Sequence, residues 1–168
     1  MELKEALLKR RSVRKFTPDP VSSEDIQELL IAAMSGPSAC NKKPWEFYVI
    51  TDAAVLDKLR GASHFTNIKA PLAIVVCGSL SRALPLQLAD FWIQDCSAAT
   101  ENILLRTVDL GLGAVWCGIH PQKGPVKKVS ELLGLSEKKI PLNIIFIGHP
   151  NQEPEPRTQY DEQCVHFI

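Results

Sequence analysis

The order of helices and strands is decided by residues 90–118, which read DFWIQDCSAATENILLRTVDLGLGAVWCG. Apolar and small residues cover most of the circumference of the first part, which predicts a long helix over Leu86–Leu110, buried on several sides. Gly111 and Gly113 end this helix, and the following run Ala114–Cys117 is typical of a strand. A dinucleotide-binding fingerprint requires a strand before its glycines and a helix after them. The Gly-Leu-Gly sequence therefore does not indicate a Rossmann fold.

Elements on either side of this stretch alternate irregularly between helix and strand. Helices are predicted up to Arg10, after Ser22, over residues 52–60 and over residues 126–133. Ser22 and Asp25 resemble a capping box at the start of the second of these helices. The helix after Ser22 has an apolar stripe that we assign to the core, formed by Ile26, Leu29, Leu30, Ala33 and Met34. Strands are predicted at residues 45–50, 72–77 and 143–147. Without a regular series of βαβ units, the pattern favours an α+β fold with a mixed, mainly antiparallel central sheet flanked by helices.

The tail beyond Asn151 differs in composition from the rest of the chain. It contains Pro154 and Pro156 with several charges, and then the short apolar run Cys164–Ile168. We predict an arm that crosses a surface before adding an edge strand. Since no repeat or linker divides the chain, we expect a single domain over residues 1–168.

Composition excludes several classes of protein. Lys plus Arg and Asp plus Glu number 19 each, so no overall field attracts the chain to nucleic acid or to an acidic membrane surface. The amino terminus lacks the apolar stretch of a secretory signal, and the apolar runs have the length of strands, so we expect a cytoplasmic protein. The five cysteines form no C-x-x-C pair and have no ligand spacing with the histidines. We interpret them as reduced thiols and expect no metal site.

The residues that could bind a ligand or take part in a reaction are concentrated in three segments. Lys9–Lys15 carries several cations and Ser12 where a helix gives way to extended chain, with Ser12 and Arg14 on one face and Val13 on the other. Such a cluster suits a phosphate ester, because arginine offers paired donors and a fixed charge. It also suits a solvated basic helix end.

The two remaining segments are a loop and the end of a strand. Residues 37–45, from Pro37 to Trp45, form a loop of small and amide-bearing residues that allows close approach to a planar ring, or a plain turn. Trp116–Pro121 leaves a strand at a glycine, where main-chain amides could meet a cofactor, or is an ordinary strand end.

Taken together, the three segments resemble the nitroreductase family of flavoproteins. The matching pieces are Arg-Arg-Ser-Val-Arg at 10–14, Pro-Ser-Ala-x-Asn-x-x-Pro-Trp at 37–45 and Gly-Leu-Gly-Ala-Val-Trp-Cys-Gly at 111–118. A basic residue in a Pro-rich tail, Arg157, completes the pattern, which spans nearly the whole chain. The resemblance implies a nitroreductase-like fold, of the NADH oxidase and flavin reductase type, that binds FMN.

The resemblance also implies a role for each matching cation. Arg10, Ser12 and Arg157 would hold the FMN phosphate and ribityl end, with Arg11 nearby. Arg14 would lie beside the N1 and O2 edge of the flavin, where negative charge grows on reduction, so a fixed cation there favours the reduced form.

Further FMN contacts follow from the same resemblance. The other subunit would contribute Pro37, Ser38, Ala39 and Asn41. Main chain would come from Trp116, Cys117 and Gly118, with Asn67 as an additional polar contact. No side chain is expected to act as acid or base in hydride transfer. We interpret the histidines as structural or solvent-exposed: His64, His120, His149 and His166.

The implied protein is an intertwined homodimer with two FMN sites, in which residues 151–168 cross to the partner. It would take hydride from NADH or NADPH onto flavin N5 and pass it to nitroaromatic, quinone or similar acceptors by ping-pong turnover. The alternative is a module that stores or senses FMN without turnover. The chain is short between Cys77 and the long helix, so we expect a more open or differently lined pocket. Phe91 and Trp92 could cover the flavin and contact an acceptor, or could pack in a dimer core.

Overall fold

A computed structural model describes all 168 residues of the chain. It contains five α-helices: α1 Leu3–Lys9, α2 Ser23–Met34, α3 Ala53–Arg60, α4 Phe91–Asp109 and α5 Lys123–Leu133. It contains four strands: β1 Trp45–Ile50, β2 Leu72–Ser79, β3 Gly113–Gly118 and β4 Lys139–Gly148. None of the helices is long and apolar enough to cross a bilayer.

The four strands form one sheet in the order β1-β2-β4-β3. Every neighbouring pair is antiparallel, and parallel pairing occurs only in an isolated bridge between Ser12 and Ala114. The predicted α+β fold, with a mainly antiparallel sheet flanked by helices, is confirmed. Because a helix lies before β3 and no helix opens directly after its glycines, the rejection of a Rossmann fold is also confirmed.

Helices cover both faces of the sheet, which explains the apolar runs Leu72–Cys77 in β2 and Ile144–Ile147 in β4. Alternate residues of a strand point to opposite faces. In β2, Ile74 faces a cluster shared with α2 and α4, while Val75 faces a cluster shared with α3 and α5. In β4, Ile145 and Phe146 divide in the same way. Both faces therefore exclude water, and the buried polar residue of β4, Asn143, donates to the Thr100 hydroxyl at 3.0 Å.

Side-chain caps set the starts of two helices where the sequence predicted them. The Ser22 hydroxyl accepts from the Asp25 amide at 3.0 Å, and the Asp52 carboxylate accepts from the Val55 amide at 2.9 Å. Both satisfy amides that have no partner within the helix. The prediction that the apolar stripe of α2 lies in the core is only partly correct, because Met34 at the end of the helix is exposed.

The predicted start of the long helix, at Leu86, is wrong. α4 begins at Phe91, and residues 86–88 form a separate 3-10 turn. Leu86 has a φ of 56° and is 84% exposed, so it cannot continue an α-helix or contribute to its apolar face. Apolar spacing alone extended the helix over this turn, which connects β2 to α4.

The predicted edge strand at the end of the chain does not form within this protomer. Residues 165–168 have no regular structure, and a 3-10 turn occupies Glu162–Cys164. All residues from 157 onward are exposed, and Phe167 is 97% exposed. The expectation that this tail crosses to a partner stays a prediction.

Candidate functional site

The basic segment lies along the outer edge of β3. Ser12 bridges Ala114, and the Val13 amide donates to the Ala114 carbonyl at 2.9 Å. The Val13 side chain is buried, Ser12 is half-buried and Arg14 is exposed. The predicted alternation is therefore confirmed, and it directs Ser12 and Arg14 away from the core.

Close approach of this segment depends on Gly113, whose role sequence reasoning missed. A Cβ at Gly113 would lie 2.7 Å from Val13 Cγ1, nearer than real Cβ contacts come. Only glycine lets the basic segment lie against β3 at this point. The sequence indicated Gly113 as a helix terminator, and nothing local marked it as a packing position.

Cations from the two ends of the chain meet beside α1. Arg10 and Arg157 line one cavity of about 250 Å³. The Arg157 amide donates to the Leu8 carbonyl at 3.3 Å, which fixes the tail against the end of α1. Arg11 donates to the Glu155 carbonyl in the same tail. The structure thus brings Arg157 together with Arg10 and Arg11, although it is far from them in sequence.

The tail also fixes the backbone of the basic segment through Gln152. Its side-chain oxygen accepts from the Arg14 amide at 3.0 Å and from the Lys15 amide at 2.9 Å. Neither the Arg14 nor the Lys15 side chain makes an ion pair, so both charges are free to meet an anion. Sequence reasoning missed Gln152, because an amide in a Pro-rich tail carries no recognisable signal.

The carboxyl end of β3 lies close to Arg14. Burial raises the pKa of the Cys117 thiol to about 11, and the positive charge of Arg14 opposes this rise. The Cys117 thiol donates to the Phe65 carbonyl at 3.2 Å, which brings the turn before Asn67 against β3. Gly118 has open space where a Cβ would be. This region joins the basic segment, the end of β3 and the neighbourhood of Asn67.

The loop at residues 37–41 lies at the opposite edge of the sheet. It leads into β1, whereas the basic segment lies outside β3, so the two are separated by four strand spacings. At about 4.8 Å per spacing, that distance is roughly 19 Å. Within one protomer, the structure therefore does not bring this loop to the cations. Its members are Pro37, Ser38, Ala39 and Asn41.

Comparison with known proteins identifies the family. The model of the nitroreductase family matches residues 7–73 and 67–149, most of the chain. The chain belongs to the nitroreductase family. The predicted membership is confirmed, since the matched regions contain the segments that carried the resemblance, apart from Arg157.

Individual relatives of this nitroreductase family member match it over nearly its whole length. A Methanothermobacter thermautotrophicus protein, named only provisionally as an NADH dehydrogenase/NAD(P)H nitroreductase, is 38% identical over 99% of this chain and 87% of its own. A Parabacteroides distasonis structure with the same provisional name has a TM-score of 0.93 at 36% identity, covering 98% of this chain and 96% of that one. An FMN-dependent nitroreductase from Clostridium difficile has a TM-score of 0.88 at 31% identity, covering 96% of each chain.

The two aromatic residues at the start of α4, Phe91 and Trp92, differ in how deeply they are buried. Trp92 is 2% exposed, and its ring occupies the space above Gly78, where a Cβ would lie 2.1 Å from Trp92 Cε3. It meets the His120 ring edge to face at a centroid distance of 5.1 Å. The ring packs in the core of its own protomer, and the assignment of Trp92 to acceptor contact stays a prediction. Phe91 is 37% exposed and remains accessible.

Proposed function

We propose that this protein is an FMN-dependent oxidoreductase that takes hydride from NADH or NADPH and passes it to nitroaromatic, quinone or similar conjugated acceptors. The observation that carries the proposal is the meeting of Arg10 and Arg157 in one cavity beside the extended Ser12–Arg14 segment. Further support comes from the C. difficile structure, a related protein described as an FMN-dependent nitroreductase.

The residues fit a phosphate ester joined to a planar ring. Arg10 forms only a long ion pair with Glu101, at 3.6 Å, and Arg157 bonds only to Gln159, so both guanidinium groups can turn to a phosphate. Arg14 carries an unpaired charge toward the end of β3, where Gly118 leaves open space. One molecule of FMN would fit this order, with the phosphate at Arg10 and the ring beside Arg14.

A homodimer with two FMN sites is supported by the position of the loop at residues 37–41. By strand spacing, that loop lies roughly 19 Å from the basic segment of its own chain, and a second copy would bring it to the same FMN. Support also comes from apolar residues that lie exposed on α1 and α2, namely Leu3, Leu7, Ile31 and Met34. The tail, residues 151–168, would pack on the partner as an arm, through the part from residue 157 onward that is exposed.

Bound FMN would supply the redox chemistry, accepting hydride at N5 from the nicotinamide and releasing it to an acceptor in a second half-reaction. The side chains of this protein bind and orient. Arg10, Ser12 and Arg157 would hold the phosphate end, while Arg14 would stabilise negative charge at the N1 and O2 edge. The main chain of Trp116–Gly118 would pack against the ring, with Asn67 at its polar edge. Phe91 is the accessible aromatic candidate for acceptor contact.

The test is an absorbance spectrum of the purified protein, followed by anaerobic addition of NADH and then NADPH. We expect a flavin spectrum that bleaches at a catalytically useful rate with at least one nucleotide and recovers when a quinone or nitroaromatic is added. A bound flavin that neither nucleotide reduces would overturn the enzymatic proposal. Failure to bind added FMN would overturn the site itself.

A further inference from the structure

One side of α4 holds the chain that runs from the end of α2 into the loop at residues 37–41. The Asn102 amide donates to the Ala32 carbonyl at 3.0 Å. Further along, a Cβ at Gly36 would lie 3.4 Å from the Ala99 nitrogen, so the backbone touches the helix there. At the far end, an Asp95 oxygen accepts from the Ala39 amide at 2.8 Å. Positions 95, 99 and 102 share one face of α4, so this face contacts the segment from Ala32 to Ala39 at three points.

The bond to Asp95 is the sole hydrogen bond that ties residues 37–43 to the rest of the protein. The others are internal: Ser38 accepts from Asn41 through its carbonyl and from Lys43 through its hydroxyl, and the Ala39 carbonyl accepts from Lys42. Internal bonds give the loop its shape but do not fix its place on the fold. The loop is fixed at its end by the Pro44 carbonyl, which accepts from the Ser79 amide at 2.7 Å, and before that point its place depends on one carboxylate.

The loop has a conformation that it would not keep without such a tie. Cys40, Asn41 and Lys43 all have left-handed backbone angles, with φ values of 49°, 54° and 49°. Residues with a Cβ disfavour this region, so the surroundings must hold them there. Asp95 is only 6% exposed, which gives its oxygen a fixed position and shields its bond from water.

We infer that Asp95 is a positioning residue for flavin binding, acting through the Ala39 amide on the loop that serves the partner's FMN. This inference rests on the proposed function, because it assigns the loop to a flavin site. The function of Asp95 is geometric: what matters is an acceptor oxygen at the position of Oδ1, and the negative charge is secondary.

Variants of Asp95 separate geometry from charge. Asp95→Asn keeps an acceptor oxygen in place and removes the charge, whereas Asp95→Glu keeps the charge and moves the oxygen by one methylene. Asp95→Ala removes both. We expect the dissociation constant for FMN, from fluorescence titration of apo-protein, to rise at least tenfold in Asp95→Ala and fivefold in Asp95→Glu. In Asp95→Asn it should stay within threefold of the wild type.

The matched control is Asn102→Ala, which removes the other hydrogen bond between α4 and this chain, outside the loop. It should lower the melting temperature and leave FMN affinity within twofold. Hydrogen exchange provides a second readout: the amides of residues 39–43 should exchange faster in Asp95→Ala, while those of β2 stay unchanged.

Mixed dimers test whether the loop acts on the partner's site. In a dimer of one Asp95→Ala chain and one Arg10→Ala chain, one site would combine both defects and the other would combine two intact halves. We expect half of the FMN sites to bind with wild-type affinity. A purely destabilising effect of Asp95→Ala on its own protomer would leave no site intact and would overturn the inference.

Failure of the inference and failure of the proposed function give different results. If the wild type binds FMN and both Asp95→Ala and Asp95→Glu bind it within twofold of the wild type, the inference is wrong and the proposed function stands. Should Asp95→Ala not fold, equal affinity of Asp95→Glu and Asp95→Asn would contradict the inference in the same way. A wild type that binds no FMN contradicts the proposed function first.

Discussion

Replacing Arg10 with alanine is expected to weaken FMN binding about 10- to 150-fold without disturbing the fold. A hydrogen bond to a charged group contributes about 1.5–3 kcal/mol, and each 1.4 kcal/mol corresponds to a tenfold change in the dissociation constant. The cost to the fold should be small. Arg10 pairs only with Glu101, at 3.6 Å, and the two side chains are 29% and 47% exposed. Exposed pairs of this kind contribute about 0–1 kcal/mol.

The assay is titration of apo-protein with FMN, followed by quenching of flavin fluorescence, alongside urea unfolding of the same samples. Lys127→Ala is the matched control, because Lys127 also forms one exposed ion pair, 3.8 Å from Glu131, on the α5 face of the sheet. Arg157→Ala should resemble Arg10→Ala, since both side chains line the same cavity. The reasoning is refuted if Arg10→Ala binds FMN within twofold of the wild type, or if Lys127→Ala weakens binding equally.

Three further predictions concern the neighbouring residues. Arg14→Ala should make the flavin potential more negative, by about 30 mV for each 1.4 kcal/mol of lost stabilisation of the reduced form, and an unchanged potential in a spectroelectrochemical titration would exclude Arg14 from the N1 edge. Gly113→Ala should lower the free energy of unfolding by about 1–3 kcal/mol and weaken FMN binding, because its Cβ would meet Val13 at 2.7 Å; urea unfolding that matches the wild type would contradict this. Burial raises the pKa of the Cys117 thiol from 9.0 to about 11, so on raising the pH the unfolded chain releases this proton before the folded chain does. The protonated thiol therefore stabilises the folded state fully below pH 9, and this stabilisation is lost as pH rises through 11. Over that window the stability of the wild type should fall relative to Cys117→Ala by about 1.4 kcal/mol per pH unit, and parallel stability–pH curves would contradict the assignment.

Sequence reasoning worked best where the physics is local. The Ser22 cap, the helix over residues 52–60 and the alternation of Ser12, Val13 and Arg14 depend on neighbours within a few residues. It failed where a local pattern continued past the point that the fold allows. Leu86 fits the apolar spacing of α4 but lies in a turn outside it, and Phe167 looks like a strand residue without a strand to pair with.

The site shows the same division. The sequence supplied its cations and the loop proposed to complete it, because these residues have recognisable chemistry. It could not supply Gly113, Gln152 or Asp95, whose importance comes from what lies opposite them across 100, 138 and 56 residues of chain. Trp92 was the converse case, an aromatic side chain suited to a binding site that the fold buries above Gly78.

By itself, the amino-acid sequence determined the family, the α+β class, most element positions and the types of residue available for an anionic, planar cofactor. Those properties follow from periodicity, capping and side-chain chemistry, which depend on residues close together in sequence. Tertiary structure alone decided that Arg10 and Arg157 share a cavity, that the loop lies at the opposite edge of the sheet, and that Asp95 holds it. The reason is physical: strand order and helix packing set distances between residues remote in sequence, and no local pattern encodes those distances.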